Sequence, residues 1–266
     1  MEQQLMNAAT NGLFEEAEAL LRDNPSLHVN WKNGAQQTAL HCASQNGHAE
    51  VVKLLLAHPE IDVNVGTGVR ETPFLLSCWL GKVSVARLLL KDPRVDVTSG
   101  DLAKRSPLWC AALRGCHDVI EWLIASGRDL GDLNLVEWLG KKYSVLEIAR
   151  NEKMVEVVSL LKKFVAKPAQ TRHELRLRLA PEELAAEVYT LTIFLCDDLL
   201  RLKPALITKK QSGATHRFFG IVRKLPMELQ MIICHRVVGS GKESILSKDS
   251  EAAFKSLARF LLSQST

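Results

Sequence analysis

A repeat constrains this chain more than any other feature. Three segments, Thr38 to Leu56, Thr72 to Leu90 and Ser106 to Ile124, align position by position and start 34 residues apart. Each opens on Thr or Ser, twice followed by Pro, and each carries a glycine nine residues on, at Gly47, Gly81 and Gly115. Each then closes on an apolar run such as Val51-Val52 with Leu54 to Leu56. Weaker copies run from near Gln3 through Gly12 to Leu21, and from Ser144 through Ile148-Ala149 to Leu160-Leu161. A unit this short cannot bury its own apolar face, so it must stack on its neighbours.

The letters also define the unit. Thr or Ser before Pro predicts a helix start, because the hydroxyl accepts an orphan backbone N–H and Pro at the first position has none to lose. The first helix is short, and its small residues Ala43, Ser77, Ala111 and Ala112 allow a second helix close approach. The glycines suit the left-handed turn that ends it. Val51, Val52 and Leu54 to Leu56 supply the buried stripe of the second helix, and a polar connector follows, as in Asp62-Val63-Asn64-Val65-Gly66. Between the fourth and fifth copies the spacing grows to 38 residues, which predicts a longer connection over Gly127 to Lys142, with Trp138 exposed or folded back.

Thr38-Ala39-Leu40-His41, Thr72-Pro73, Ser106-Pro107-Leu108, Gly47-His48, Val51-Val52 and Leu54 to Leu56 resemble the ankyrin repeat, whose familiar line is Thr-Pro-Leu-His, two small residues, Gly-His, Val-Val and Leu-Leu, over residues 3 to about 164. The pattern departs from that family at His58-Pro59 and Asp92-Pro93, where the second helices should stop at a proline, and at Trp109, which replaces the motif histidine. The resemblance implies an all-α fold: an ankyrin-repeat solenoid of five repeats whose degenerate terminal copies act as caps, spanning residues 1–166.

Lys167-Pro168-Ala169-Gln170-Thr171 breaks the repeat, and residues 167–266 are expected to form a separate small helical bundle. One helix should open at Pro181 and bury Leu184, Val188, Leu191, Leu195 and Leu199, ending before Pro204. Others are expected from Arg217 to Leu225, Pro226 to about Val238 and Asp249 to about Leu262. Within residues 225–262, Leu225-Pro226-Met227-Glu228-Leu229, Ile232-Ile233 and Phe254 to Ala258 resemble the F-box motif, a docking module for ubiquitin-ligase adaptors. That resemblance would place the adaptor surface on Leu225, Pro226, Leu229 and Ile233. The same letters also read as a proline-started amphipathic helix, which is the preferred reading.

Reactive chemistry is not assembled in these letters. Cys110, Cys116 and His117 lack zinc spacing, and His41 and His48 sit at repeat positions that hydrogen-bond between units in the resembled family. Gly239-Ser240-Gly241-Lys242-Glu243-Ser244 fails as a phosphate loop, with Arg236 where the first glycine belongs and Glu243 where Ser or Thr belongs. No nucleophile, base and orienter come together, so neither catalysis, a cofactor, a metal nor a small-molecule substrate is expected. Six cysteines are too dilute for a disulfide scaffold and read as thiols in a reducing compartment. The opening Met1-Glu2-Gln3-Gln4 has no secretory character, and Leu191 to Cys196 is too short for a membrane span of roughly 18 residues. The expected location is the cytosol, with the nucleus as an alternative, and the expected state is a monomer.

Residues 1–166 hold 18 basic and 20 acidic side chains, and residues 167–266 hold 16 and 10, a balance of −2 against +6. The second module's cations, among them Arg172, Arg176, Arg178, Lys209, Lys210, Arg217, Arg223 and Lys224, are spread over several helices without interleaved aromatics, which argues against nucleic acid.

A protein partner remains. The two residues before each repeat glycine lie, in the resembled family, on the concave surface that touches partners. In this chain they are Thr10-Asn11, Gln45-Asn46, Trp79-Leu80, Leu113-Arg114 and Asn151-Glu152. Phe74, Leu76 and Cys78 already fill the stack-facing positions, so Trp79, Leu80, Leu113 and Arg114 are expected to be exposed, with the polar pair Gln45-Asn46 at their edge. The neighbouring turn tips Arg70, Glu71, Lys104 and Arg105 would add charge selectivity.

Overall fold

The computed structural model describes residues 1–131, 136–138, 140–196 and 227–238, together with positions 222, 225, 245, 250 and 253. The chain divides into two compact units, Met1–His173 and Glu174–Thr266.

The first unit is a stack of five helix pairs: α1 (Glu2–Asn11) with α2 (Phe14–Asp23), α3 (Ala39–Asn46) with α4 (Ala49–Ala57), α5 (Pro73–Trp79) with α6 (Val83–Lys91), α7 (Pro107–Arg114) with α8 (His117–Ala125), and α9 (Val145–Asn151) with α10 (Val155–Ala166). First helices pack on first helices along the stack, and second on second, which makes two layers around one continuous core. Thr38, Thr72, Ser106 and Ser144 cap the first helices with their side-chain oxygens. The second helices α4 and α6 stop before His58-Pro59 and Asp92-Pro93, as those prolines require.

Gly12, Gly47, Gly81 and Gly115 all adopt left-handed backbone, at φ between 65° and 86°. They are held by a second constraint as well, because a Cβ at each would meet the next repeat: the His48 ring at 2.5 Å, Lys82 Cδ at 3.1 Å, Cys116 Sγ at 3.1 Å and Met154 Sδ at 2.6 Å. In the last repeat Lys153 takes the same conformation, at φ 59°.

Polar side chains repeat with the same period and stitch the units together. The Asn30 side chain donates to Glu60 O at 2.7 Å and accepts from the Asp62 N–H at 2.9 Å. Thirty-four residues on, Asn64 does the same with Arg94 O and the Asp96 N–H, both at 2.8 Å. Between them Ile61, Val63, Val95 and Val97 alternate inward. Arg94 and Arg128 reach back to carbonyls near the ends of earlier second helices, Leu56 O for the first and Asp92 O and Val95 O for the second, where a cation meets the negative helix end.

His41 is buried, and its two ring nitrogens join two repeats. Nδ1 accepts the Thr38 N–H at 3.1 Å, so the ring must be neutral with its proton on Nε2, which donates to Glu71 O at 3.0 Å. His48 likewise reaches back to Thr10 O at 2.9 Å.

The long connection between the fourth and fifth repeats holds a small antiparallel hairpin, β1 (Val136–Trp138) with β2 (Lys141–Tyr143), in the register Val136 to Tyr143. Residues 132–135 and the Trp138 side chain lie outside what is described.

Two findings differ from expectation beyond the repeats. The break at Lys167 is brief, since α11 (Pro168–Leu179) begins at once and crosses from one unit to the other. It escapes a periodicity test because its apolar residues Leu175, Leu177 and Leu179 follow no single stripe. Helix α12 (Pro181–Cys196) forms where expected but turns a different side inward: Ala185, Ala186, Tyr189 and Thr190 are buried, while Leu184, Val188 and Leu191 are half-buried. It packs on α13 (Met227–Val237), so its small residues admit a close neighbour. The expected helix at 226–238 is present, whereas the Leu195 side chain, Leu199 and most of the expected helices at 217–225 and 249–262 lie outside what is described.

The neutral His41 makes the fold acid-sensitive. Burial lowers its pKa from 6.5 to about 4. Between these values the unfolded chain takes up a proton that the folded chain refuses, so stability falls as pH drops from 6.5 toward 4, by up to about 1.4 kcal/mol per pH unit. Urea unfolding at pH 7 and pH 5 should show a smaller loss for His41→Gln than for the parent. An equal loss would remove His41 from the acid response.

Candidate partner-binding face

Connector turns and the ends of the first helices build this face together. The three central connectors fold into the same tight turn, closed by Gln36 N–H to Asn33 O, Arg70 N–H to Thr67 O and Lys104 N–H to Asp101 O, each at 2.9 Å. Side chains brace them. Asn33 Oδ1 accepts from the N–H groups of Ala35 and Gln37, Thr67 Oγ1 from those of Val69 and Glu71, and Asp101 Oδ1 from that of Arg105. The turn requires left-handed backbone at its last corner, and Gln36, Arg70 and Lys104 supply it at φ 60° to 63°. For a residue with a Cβ this costs about 1 kcal/mol, a cost glycine would avoid.

Trp79 ends α5 half-buried, with the Arg105 guanidinium 5.1 Å and the Arg114 guanidinium 5.8 Å from its ring centroid. Arg105 is itself anchored, because its Nε donates to Asp101 Oδ2 at 2.6 Å and a second guanidinium nitrogen meets the same oxygen. Asp101 is buried. It therefore does two jobs, bracing its turn and aiming Arg105 at Trp79. Glu71 lies in the same electrostatic neighbourhood: burial, with the Asp101 carboxylate adding, pushes its carboxyl above the ordinary range against the pull of Arg105.

Leu80 is 41% exposed at the end of the same helix. Arg114, Asn46, Arg70 and Lys104 are exposed, while Arg105, Glu71 and Gln45 are half-buried, the last accepting from Gln37 Nε2 at 3.1 Å. Leu113 corrects the expectation, being only 8% exposed. Consecutive residues point about 100° apart around a helix, so the two members of a pair before the glycine meet different surroundings once neighbouring repeats pack on them, although in Thr10-Asn11 both are exposed. In the pairs Gln45-Asn46, Trp79-Leu80 and Leu113-Arg114 the first turns in and the second out.

Two residues that the repeat pattern passed over belong to this face. Val69 and Leu102 are 51% and 61% exposed at adjacent turn tips, joined by the Leu102 N–H donating to Val69 O at 3.0 Å. Their signal was present as large apolar residues at turn corners, where polar or small ones are usual.

A family model for ankyrin repeats in three copies matches residues 5–101, and one for a single ankyrin repeat matches residues 104–139. Together they cover half of the chain. The chain belongs to the ankyrin-repeat family. A comparison with curated proteins finds no match. The ankyrin array continues past the matched residues, since Ser144, α9 and α10 reproduce the cap and helix pair of the earlier repeats. Ankyrin repeats make the first unit a protein-interaction module.

Elsewhere the arrangement is less telling. His117, Asp118 and Glu121 bring ligand atoms within 4.8 Å of one another on the first turn of α8, but they are helix neighbours and Glu121 is buried. Burial raises the thiols of Cys42, Cys78, Cys110 and Cys116 above their ordinary pKa, which disfavours the thiolate. Of the F-box-like positions, Leu229 is exposed, Leu225 and Ile233 are half-buried, and Pro226 lies outside the described residues, as does 239–244. Among the described residues no helix is long and apolar enough to cross a membrane.

Replacing Asp101 with Ala should uncouple this face from the stack. It removes the Asp101 carboxylate from the half-buried Arg105 guanidinium and the brace from the turn, at a cost of about 2–3 kcal/mol in urea unfolding. A cost near zero would show that the pair is ornamental.

Proposed function

We propose that this protein is a non-enzymatic interaction module whose ankyrin array grips a protein partner at the face around Trp79 and Leu80. One observation carries the reading: a half-buried Trp under two guanidiniums, beside a 41% exposed Leu, in a repeat whose core positions are already filled by the buried Phe74, Leu76 and Cys78. The stack does not need those two side chains, and an aromatic anchor beside arginines with a polar rim is the composition of an interface hot spot. Gln45 and Asn46 form the rim on one side, and Arg70, Glu71, Lys104, Arg105 and Arg114 set the charge on the other.

Leu80→Asp adds a charge at an exposed position and leaves the core untouched, so it should preserve the thermal transition. In affinity purification with the full chain it should remove the proteins that the parent retains. Unchanged retention by Leu80→Asp, and by Trp79→Ala with Leu80→Ala, would move the binding face elsewhere.

A second reading concerns α13. Met227 and Leu229 are 60% and 46% exposed there, in the segment that resembles the F-box motif. As the dock of a ubiquitin-ligase substrate receptor, this helix would bring down a ligase adaptor that Leu229→Asp releases. No adaptor with the intact chain ends that reading.

A further inference from the structure

We propose that the partner element held at this face is an acidic segment studded with apolar side chains, lying from the Trp79–Leu80 shelf out to the paired turn tips at Val69 and Leu102. The inference rests on the array binding at that face and names the chemistry it selects.

Charge complementarity commits the site to such an occupant. Arg70, Lys104 and Arg114 are exposed, and among the described residues no carboxylate pairs with any of them. The nearby acids do not offset them: Asp101 is buried in its pair with Arg105, which leaves the half-buried Glu71 against three exposed cations. The face is therefore cationic although residues 1–166 as a whole carry a slight negative excess. An approaching acidic chain is drawn to this region, and a basic one is repelled.

Apolar side chains lie among these cations. Leu80, Val69 and Leu102 are 41%, 51% and 61% exposed, and the hydrogen bond between the last two holds their tips side by side. Purely electrostatic attraction would leave them bare, whereas an acidic segment with Leu, Phe or Trp at intervals covers them. Arg70 and Lys104 stand at left-handed corners where glycine would be less strained, so their long cationic side chains come at a conformational cost.

Single-stranded nucleic acid is the competing polyanion. It stacks its bases on free aromatic faces, and the Trp79 ring at this face already has two guanidiniums over it. The sequence of exposed groups fits carboxylates alternating with hydrocarbon better than phosphates alternating with bases.

Selection from a random phage-displayed peptide library, with the full chain as bait, reads the class directly. The parent should enrich acidic peptides carrying large apolar residues, and the Arg70→Glu, Lys104→Glu, Arg114→Glu triple variant should enrich basic ones. The parent's peptides should bind that variant at least roughly tenfold more weakly by fluorescence anisotropy, and Val69→Ser with Leu102→Ser should also weaken them. Neutral or basic peptides on the parent, no enrichment, or the same peptides on the triple variant would overturn the proposal. So would a labelled single-stranded DNA of roughly 20 nucleotides that binds the parent and is not displaced by the selected peptides. If Leu80→Asp abolishes selection while charge reversal changes nothing, the binding face stands and the acidic class falls. If reversal flips the charge but Leu80→Asp has no effect, the Trp79–Leu80 shelf itself is not part of the site.

Discussion

The stack depends on a close approach between successive repeats at the end of each first helix. Gly12, Gly47, Gly81 and Gly115 turn the chain left-handed there, and each leaves room for a side chain of the following unit: His48, Lys82, Cys116 or Met154. No other residue satisfies both the backbone and the space without strain. This contact sets the spacing of the units, and with it the register of everything that projects from them. The residue before the glycine in the third repeat, Leu80, is exposed, and its neighbour Trp79 is half-buried. The polar links have the same period, with Asn30 and Asn64 at one edge and the neutral His41 bridging to Glu71 O at the other.

Legibility in the sequence followed the range of the forces involved. Helix starts at Thr38, Thr72, Ser106 and Ser144, glycine turns, and proline stops are decided within a few residues, and they could be read from letters alone. So could the ankyrin family, because a 34-residue period carries its own redundancy. What escaped depends on contacts between segments or on rotation within a helix. Leu113 aligns with Trp79 but is buried where Trp79 is half-buried. The buried side of α12 is set by its neighbour α13, which favours Ala185 and Ala186 over the leucine stripe. Asp101 and Arg105 were visible as charges, but their pairing over Trp79 arises only once the turn brings them together. Val69 and Leu102 are 33 residues apart and adjacent only through stacking.

The proposed function rests on the positions where this chain departs from the repeat pattern. A bare stack would place small or polar residues at the helix ends and glycine at the turn corners. Here the third and fourth repeats instead hold Trp79, Leu80 and Arg114 at the helix ends and Val69, Arg70, Leu102 and Lys104 at the tips. The one buried acid of these connectors, Asp101, is taken up in bracing its turn and holding Arg105, while Arg70, Lys104 and Arg114 are exposed. Burial pushes the thiols of Cys42, Cys78, Cys110 and Cys116 toward the protonated form and His41 toward the neutral form.

The central claim is that a partner seats on the helix-end face of the third repeat. Photo-crosslinking tests it most directly, with a benzophenone amino acid placed at Leu80 in one chain and at the exposed Ser84 of α6 in another. Adducts to a protein of defined mass from position 80 and none from position 84 are the expected result. Adducts from position 84 alone would contradict the account.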